Sequence, residues 1–347
     1  MNLNLILICT AVFLIALPLT GLLRRYALGS LLIDEVGERT SHAQPTPRGG
    51  GAAIVIATAL GLVAGMWAMD VGLNLVIALL GGGLMVALVG WVDDHRHVEP
   101  AVRLAVHLCS ALWLVWWIGP FPFCALISGP TRWAPLDWLA TVVAIIWMIN
   151  LYNFMDGIDS IAAGEVIVVM LAGTALTRAG DFGSLALCVP PLVLAAAAFG
   201  FLPWNLPPAR IFLGDIGSGF LGFMLAAIIV AMSHAGLSLG LAWGILPGLF
   251  IADATVTLLR RGFRRERIFQ AHRSHVYQRL ARKMGSHGPV TIAYLALSLC
   301  WLVPLARLAL EQRLMPVASV AAAWLPIFGL AWLLGGGKPD AARQVTQ

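Results

Sequence analysis

Long apolar stretches follow one another along almost the whole chain, separated by short polar connections. A transmembrane helix needs roughly 20 consecutive, mostly apolar residues, and eleven stretches of this kind can be counted in the sequence. They begin near Leu3, Gly51, Leu73, Val102, Trp138, Ile161, Ser184, Ile211, Leu237, Pro289 and Met315. Since a lipid environment requires the backbone to satisfy its own hydrogen bonds, each stretch is expected to be a helix. The pattern predicts an all-α, polytopic integral membrane protein with about 11 transmembrane helices.

The composition agrees with a bilayer environment. The chain of 347 residues is 60% hydrophobic and only 11% charged, with a mean hydropathy of +0.87. So many apolar side chains exceed what one water-soluble core of this size holds. No connection is long enough for an independent soluble domain, so residues 1–347 are expected to form a single membrane domain.

Basic residues are distributed unevenly between the two sets of connections. If the N-terminus lies outside, all but four of the 22 Lys and Arg residues fall on the cytoplasmic side. The positive-inside rule therefore predicts an external N-terminus. The cytoplasmic loops are then expected at about residues 24–50, 92–101, 154–160, 202–210 and 259–288. The pI is near 9.2, and the basic residues that raise it lie beside membrane spans. In that position they suit anionic headgroups and phosphorylated substrates. No nucleic-acid partner is therefore expected.

Acidic residues gather at the same predicted membrane surface. Asp93 and Asp94 end the third span, Asp156 and Asp159 end the fifth, and Asp215 opens the eighth. An ionised aspartate at the edge of an apolar helix is unfavourable and usually functional. Each one taken alone could instead cap a helix or pair with a nearby arginine.

Carboxylates drawn together repel, each close pair by about 4 kcal/mol at an effective dielectric constant near 20. A divalent cation removes this repulsion, and hard oxygen ligands without a His or Cys cluster favour Mg²⁺, with Mn²⁺ as the second choice. Asp215 lies between Gly214 and Gly217 at a predicted helix start, where a bound metal could bridge to diphosphate oxygens. Asp253, in the ninth span, could serve the same site or pair with Arg260 or Arg261.

Two loops carry further candidate residues. The first contains Pro45-Thr-Pro-Arg48-Gly-Gly-Gly51, a turn that lets the backbone approach a ligand. The loop at 259–288 holds nine Arg and Lys residues against one acid, Glu266. Its His272 and His275 are three residues apart and suit a phosphate better than zinc, because no third ligand accompanies them. Gly337-Lys338 lacks the spacing of a P-loop.

Taken in order, these motifs resemble the polyprenyl-phosphate N-acetylhexosamine-1-phosphate transferases, over residues 30 to 300. The resemblance rests on His42-x-x-Pro-x-Pro-Arg48-Gly-Gly, Asp93-Asp94, Asn153-Phe-Met-Asp156-Gly-Ile-Asp159, Phe212-Leu-Gly-Asp215-Ile-Gly-Ser218 and His272-Arg273-Ser-His275. It implies a Mg²⁺-dependent transfer of a sugar 1-phosphate from a UDP-N-acetylhexosamine to undecaprenyl phosphate, with release of UMP. It also implies a multi-pass protein of the bacterial cytoplasmic (inner) membrane.

The resemblance implies roles for individual residues. Asp215 matches the metal ligand, and Asn153, Asp156 and Asp159 match positions lining the nucleoside and metal pocket, with Asp156 as a second metal ligand. Phe212 matches a residue that stacks on uracil. Asp93 and Asp94 match the pair that binds or deprotonates the lipid phosphate. His272, Arg273, His275 and Arg48 are expected to contact the donor.

Departures from the pattern indicate a branch within the family. Arg39, the Pro-Arg-Gly-Gly-Gly loop and His272-Arg273-Ser-His275 differ from the branch that makes the peptidoglycan precursor, and are similar to the branch that starts O-antigen or surface polysaccharide. The resemblance favours a UDP-linked N-acetylfucosamine or N-acetylquinovosamine donor, with N-acetylglucosamine as the alternative. An ion-coupled transporter and a catalytically inactive scaffold are the rival functions, and a homodimer is a further expectation.

Overall fold

The computed structural model describes residues 2–30, 32–34, 45–128, 134–180, 182, 185–266 and 272–339. Within these residues the chain is almost entirely helical. The helices are α1 (Leu3–Gly29), α2 (Gly51–Ala68), α3 (Leu73–His95), α4 (Pro100–Ile118), α5 (Phe123–Ser128), α6 (Ala134–Met155), α7 (Ile161–Ala179), α8 (Val189–Asn205), α9 (Gly214–Ala235), α10 (Leu237–Ile245), α11 (Gly248–Phe263), α12 (Val276–Met284), α13 (Gly288–Leu297), α14 (Val303–Leu310) and α15 (Pro316–Leu333). A 3-10 turn (Leu185–Cys188) precedes α8, and a π turn (Ser298–Leu302) joins α13 to α14.

The predicted all-α membrane fold is confirmed. Among the described residues, ten helical segments are long and apolar enough to cross a bilayer. An eleventh crossing results if α10 and α11 are counted together. Most of these segments begin within four residues of the predicted starts, because the hydropathy of each run is high and short polar connections separate them. The external N-terminus stays a prediction.

The ninth predicted span is not one straight helix. Its two parts, α10 and α11, meet at an angle of 62°. The break falls at Leu246 and Pro247, and Pro247 has no backbone N–H to continue the helical hydrogen bonds. Gly248 opens α11 where a Cβ atom would lie 2.7 Å from the Trp324 indole nitrogen of α15. The proline interrupts the helix, and the glycine lets the second half pack closely on α15.

Helix α9 lies at the centre of the bundle and is the most deeply buried of the spans. It packs against α3, α6, α10 and α2. The start of α2 crosses the first turns of α9 at Gly51 and Gly217, with no room for a Cβ atom at Gly51. Small residues at a crossing let two helix backbones approach closely in a membrane protein. This contact fixes the first loop against the beginning of α9.

A small hairpin completes the same end of the bundle. Strands β1 (Ile33–Asp34) and β2 (Thr46–Pro47) pair antiparallel, with Ile33 opposite Pro47. The ends of α3 and α6 and the start of α9 lie at this end as well. The acidic residues that the sequence places at helix ends therefore meet in one region.

Candidate active site

A polar cavity of about 200 Å³ lies where α3 and α6 end and α9 begins. We call it the acidic cavity. Its lining residues are Asp34, Arg48, Asp94, Asn153, Asp156, Gly157, Ile158, Asp159, Asn205, Phe212, Gly214, Asp215, Ser218, Gln278 and His287. Seven residues predicted for the site are among them, drawn from four separate segments of the sequence. Their roles in catalysis stay predictions, but their convergence does follow from the fold.

Asp94 caps the beginning of α9 from the neighbouring helix. Its Oδ1 accepts a hydrogen bond from the Asp215 N–H at 3.1 Å, and its Oδ2 accepts one from the Ile216 N–H at 3.2 Å. These N–H groups have no partner within their own helix. Gly214 has φ +77°, and a Cβ atom there would lie 2.6 Å from the Asp94 Oδ2. The glycine before Asp215 is therefore required by both its backbone angle and the closeness of Asp94.

Two loops are joined by backbone hydrogen bonds at the rim of the cavity. The Phe212 N–H donates to the Pro47 carbonyl at 2.8 Å, and the Gly50 N–H donates to the Phe212 carbonyl at 2.9 Å. Arg48, which lies between Pro47 and Gly50 in the sequence, donates from Nη2 to the backbone carbonyl of Asp94 at 2.6 Å. Arg48 and Phe212, far apart in sequence, consequently face the same space.

Asp93 lies behind the cavity lining. Its Oδ1 accepts from the Val98 N–H at 2.7 Å, and its Oδ2 accepts from the Arg103 Nη1 at 2.6 Å. The same Arg103 nitrogen is 3.6 Å from the Asp215 Oδ2. The carboxyl groups of Asp93 and Asp215 are also within hydrogen-bonding reach of each other. Two carboxylates this close need a proton or a cation between them. Sequence reasoning missed Arg103, although an arginine one turn inside an apolar span was the available signal.

Asp215 is held on its other side by an amide. The Asn153 Nδ2 donates to the Asp215 Oδ1 at 2.7 Å and lies 3.2 Å from the Ser218 Oγ. Asn153 belongs to the last turn of α6, and Ser218 to the second turn of α9. The amide thus orients the carboxylate where α6 and α9 meet.

Asp156 follows the last residue of α6 and is half-buried in the cavity wall. Burial, and then the nearby charges of Asp215, Asp94 and Asp159, raise the pKa of Asp156 well above its usual range. The cavity therefore concentrates more negative charge than its described cations neutralise. A bound cation would relieve that excess.

Asp159 connects its turn to α13. Its Oδ1 lies 3.2 Å from the His287 Nδ1, and its Oδ2 accepts from the Ala209 N–H at 3.1 Å. The Thr291 hydroxyl donates to the Asp159 carbonyl at 3.0 Å. His287 was not predicted. Its position inside the basic loop, directly before Gly288 and Pro289, was the only sequence signal.

Asn205 is a second missed residue of the cavity. Its Oδ1 accepts from the Ser160 N–H at 2.9 Å, and its Nδ2 donates to the Ile211 carbonyl at 3.0 Å. Ser160 has φ +66°, a left-handed conformation that is uncommon for a residue with a side chain. Asn205 therefore ties the turn after Asp159 to the loop before Phe212, and a polar residue ending an apolar span was its signal.

The histidine motif lies outside the acidic cavity. His272, Arg273 and His275 do not line it, and His275 is buried with its Nδ1 3.4 Å from the Asp253 Oδ1. Burial, followed by the nearby His275 and Arg261, lowers the pKa of His272 to about 3, so its ring is neutral at neutral pH. The structure does not bring these three residues together with the acidic cavity, and their contact with a donor stays a prediction. His42 and Arg39 lie outside the described residues.

Asp253 organises the start of α12. Its carboxylate accepts from the Val276 N–H at 2.8 Å, the Tyr277 N–H at 3.1 Å and the Tyr294 hydroxyl at 2.7 Å. Of the two arginines considered as partners, Arg261 forms an ion pair with Glu266 at 2.9 Å. Asp253 does not line the acidic cavity. Its oxygens serve the fold of the loop that follows α11.

A larger apolar groove of about 990 Å³ adjoins the acidic cavity. Asn153 and Asp215 line both spaces, and Arg103 stands at their junction. Val143 and Phe263 line the groove while 57% and 82% exposed. The groove therefore opens sideways from the bundle, toward the region that lipid tails would fill.

The acidic cavity offers few ligands for the predicted magnesium ion. Across the part of the chain that the structure describes, no three His, Cys, Asp or Glu residues form a ready group of metal ligands. Asp156 and Asp215 both face the acidic cavity. Mg²⁺ is commonly held by only one or two carboxylates, with water and substrate phosphates completing its coordination. The pair fits that arrangement, and the metal itself stays a prediction.

Sequence comparison finds related proteins. Residues 76–233 match the model of glycosyl transferase family 4. A probable undecaprenyl-phosphate N-acetylglucosaminyl 1-phosphate transferase of Bacillus subtilis is 28% identical over 291 residues, covering 81% of this chain and 79% of the relative. A decaprenyl-phosphate N-acetylglucosaminephosphotransferase of Mycolicibacterium smegmatis is 34% identical over 60% of this chain and 55% of the relative. A phospho-N-acetylmuramoyl-pentapeptide-transferase of Gloeothece citriformis is 29% identical over 48% of this chain and 47% of the relative.

The match over residues 76–233 and the names of these relatives support assignment to glycosyl transferase family 4. The relatives are named phosphotransferases, which confirms the expectation of a sugar-phosphate transferase enzyme. The matched region runs from α3 to α9 and includes Asp93, Asp156 and Asp215. It excludes Arg48 and the histidine motif, which lie before and after it.

Proposed function

We propose that this enzyme transfers an N-acetylhexosamine 1-phosphate from a UDP-sugar to undecaprenyl phosphate and releases UMP. The observation that carries the proposal is the junction of an acidic cavity with an apolar groove at Asn153 and Asp215. One reactant is then a polar nucleotide sugar, and the other is a lipid with a phosphate at its end. Two spaces of opposite character meeting at charged side chains suit these two reactants.

The acceptor lipid fits the groove. A polyprenyl chain is apolar along its length, as is most of the groove, and its phosphate would reach Arg103 at the junction. Arg103 is held by the Asp93 carboxylate at 2.6 Å. A guanidinium fixed in this way offers its remaining N–H groups to phosphate oxygens in a defined direction. In this arrangement Asp93 positions Arg103.

The donor fits the acidic cavity. Phe212 lines it as a half-buried ring on which a uracil base could stack. A diphosphate is negatively charged and would be repelled by Asp156 and Asp215 alone. Mg²⁺ held by these two residues, with Mn²⁺ as a substitute, would neutralise charge on the diphosphate and on the leaving UMP.

The reaction needs correct placement more than proton transfer. A phosphate oxygen of the lipid attacks the phosphorus that carries the sugar, and the bond from this phosphorus to the bridging oxygen breaks. The electron pair leaves with UMP, and a lipid diphosphate sugar forms. Arg103 would hold the attacking phosphate at the junction, while Asn153 keeps the Asp215 carboxylate in place. Since a phosphate monoester is already largely ionised near neutral pH, a general base at Asp93 is a separate hypothesis.

The sugar and the pathway are finer points of the proposal. The names of the Bacillus and Mycolicibacterium relatives favour N-acetylglucosamine. The stretch around His272 favours a 6-deoxy sugar such as N-acetylfucosamine or N-acetylquinovosamine by resemblance, although it lies outside the acidic cavity. We infer a role in starting lipid-linked O-antigen or surface polysaccharide at the bacterial inner membrane. A homodimer stays a prediction.

The direct test uses purified protein with undecaprenyl phosphate, Mg²⁺ and a panel of UDP-N-acetylhexosamines. UMP release and the mass of the lipid product are followed. We expect UMP and a lipid diphosphate bearing one sugar for one donor of the panel. No product with any donor, with the lipid and metal verified, would contradict the proposal.

Two arginine variants test the position of the acceptor phosphate. Arg103→Gln is expected to lower kcat/KM for the lipid by about 10²- to 10³-fold, the usual loss for a group that stabilises charge. Arg96→Gln removes the same charge from an exposed position near the end of α3 and should stay close to wild type. Equal behaviour of the two variants would contradict this placement.

Asp93→Asn with near wild-type turnover would exclude Asp93 as an essential general base.

A further inference from the structure

A third cavity, of about 450 Å³, lies at the same end of the bundle, where α11 and α15 end. It is lined by Arg260, Arg264, Trp332, Leu333 and Lys338. We call it the basic cavity. None of its lining residues belongs to the acidic cavity or the groove, so the proposed reaction does not account for it.

Hydrogen bonds and a cation–π contact of Arg260 fix the wall of the basic cavity. Arg260 is buried and donates from Nη1 to the Gly336 carbonyl at 2.7 Å and from Nη2 to the Trp332 carbonyl at 3.1 Å. Its guanidinium carbon lies 3.6 Å from the centre of the Trp332 ring. Gly335 and Gly337 have φ of +85° and +74°, which turns the chain back onto α11. The Gly-Gly-Gly-Lys segment therefore closes the cavity.

Positive charge prevails in this cavity. Of the five described residues that line it, three are cationic and none is a carboxylate. Arg279 adds a fourth cation nearby, because its Nη1 donates to the Lys338 carbonyl at 3.1 Å. Glu266 lies beside this group, paired with Arg261 at 2.9 Å and 3.9 Å from Arg264. Among the described residues that line the cavity, three cations and no acid leave a net positive site.

Apolar side chains border the cations. Trp332 and Leu333 are 52% and 79% exposed, at the end of an apolar span. Exposed apolar groups at the end of a transmembrane helix lie at the level of lipid headgroups, as do aromatic rings. A phosphate between the cations would be attached to chains running beside Leu333. A free anion has no acyl chains, so contact with Trp332 and Leu333 would not strengthen its binding.

We propose that the basic cavity binds the headgroup of an anionic phospholipid. Arg264 and Lys338 supply the charge that meets the phosphate, and Arg260 keeps the Trp332 face in place. Basic pockets beside transmembrane helices bind such headgroups in other membrane proteins. Since α11 lines the groove with Leu259 and Phe263 and the basic cavity with Arg260, the bound lipid stabilises the α11–α15 contact.

The experiment measures thermal unfolding of the full chain in nanodiscs without substrates, so its outcome is independent of the proposed reaction. Discs of phosphatidylcholine alone are compared with discs containing phosphatidylglycerol. We expect the anionic lipid to raise the midpoint by about 2–4 °C. The double variant Arg264→Gln/Lys338→Gln should lose at least half of this increase. Both residues are at the surface, so the variant is expected to fold.

Arg25→Gln, an exposed arginine on α1, is the matched control and should keep the full increase. Equal increases in the wild type and the double variant would overturn the proposal. The same increase from inorganic phosphate in phosphatidylcholine discs would overturn the lipid as the ligand. Mass spectrometry of the phospholipid retained after detergent extraction gives a second readout, in which the double variant should keep less phosphatidylglycerol than the control.

Discussion

Two acidic sites lie in this membrane protein, one around Asp253 and one in the acidic cavity, and they differ in what occupies the carboxylate oxygens. We call the first the Asp253 cluster. In the Asp253 cluster, one carboxylate accepts from two backbone N–H groups and the Tyr294 hydroxyl. In the acidic cavity, Asp156 and Asp215 face an open space and lie close to other carboxylates. Both sites place carboxylates in or beside apolar spans of the sequence.

The difference teaches how to interpret an acid inside an apolar span. A carboxylate whose lone pairs are taken by protein donors stabilises the fold, because removing it leaves those donors buried without partners. A carboxylate kept near other acids is unfavourable for the fold unless a ligand or cation neutralises it. Asp94 lies between the two cases, since it faces the cavity and also caps α9.

The largest expected effect separates the clusters by activity. Asp156→Asn should lower kcat by about 10²- to 10³-fold, because it removes a charge that the proposed metal and diphosphate need. Its thermal stability should equal or exceed that of the wild type, since one repulsive charge is lost. Turnover and the unfolding midpoint of the same preparation check this. A destabilised but active variant would place Asp156 with the structural acids.

Asp253→Asn should act in the opposite way. The amide NH₂ would face a backbone N–H that now donates to the carboxylate, so we expect a loss of about 3 kcal/mol in stability. Thermal unfolding in detergent measures it. Turnover per folded molecule should stay near wild type, and a specific loss of kcat with normal stability would contradict the structural role.

Added Mg²⁺ should distinguish the clusters through binding. At a concentration 100 times its Kd, a ligand of the folded state adds about 2.7 kcal/mol to stability. Mg²⁺ is therefore expected to raise the unfolding midpoint of the wild type and of Asp253→Asn, relative to protein in EDTA, and to leave Asp156→Asn unchanged. An equal rise in all three would place the metal elsewhere.

The smallest effect tests a single contact of the structural cluster. The Thr257 hydroxyl donates to the Asp253 Oδ1 at 3.3 Å. Thr257→Val keeps the shape and removes this donor, with an expected loss of about 1 kcal/mol in stability. Equilibrium unfolding measures the change. Since the other donors to Asp253 remain, turnover should not change.

The fold could be predicted from the sequence largely because each span is long and apolar. The bend between α10 and α11 could not, because Pro247 within an apolar run fits either a kinked helix or a break. The contact of Gly51 with Gly217 was also beyond reach. It joins two segments more than 160 residues apart, and hydropathy carries no information on which helices touch.

The candidate site was predictable where a residue stood out against an apolar background. Asp94, Asp156 and Asp215 did so, and they converge in the acidic cavity. Arg103 and Asn205 were missed, since one arginine or asparagine beside a span is usual and only tertiary contacts show their partners. The histidine motif is the opposite case, because its pattern is conspicuous while His275 is buried against Asp253, outside the acidic cavity. Its contact with a donor stays a prediction.

Because the groove opens sideways from the bundle, the acceptor concentration that matters to this enzyme would be the concentration within the membrane. A lipid that enters between Val143 and Phe263 arrives by diffusion in two dimensions and never crosses bulk water. Its effective concentration is then its mole fraction among the surrounding lipids. At a fixed concentration of the nucleotide sugar, diluting the vesicles should leave the rate per enzyme unchanged, whereas diluting the acceptor with other lipids should lower it.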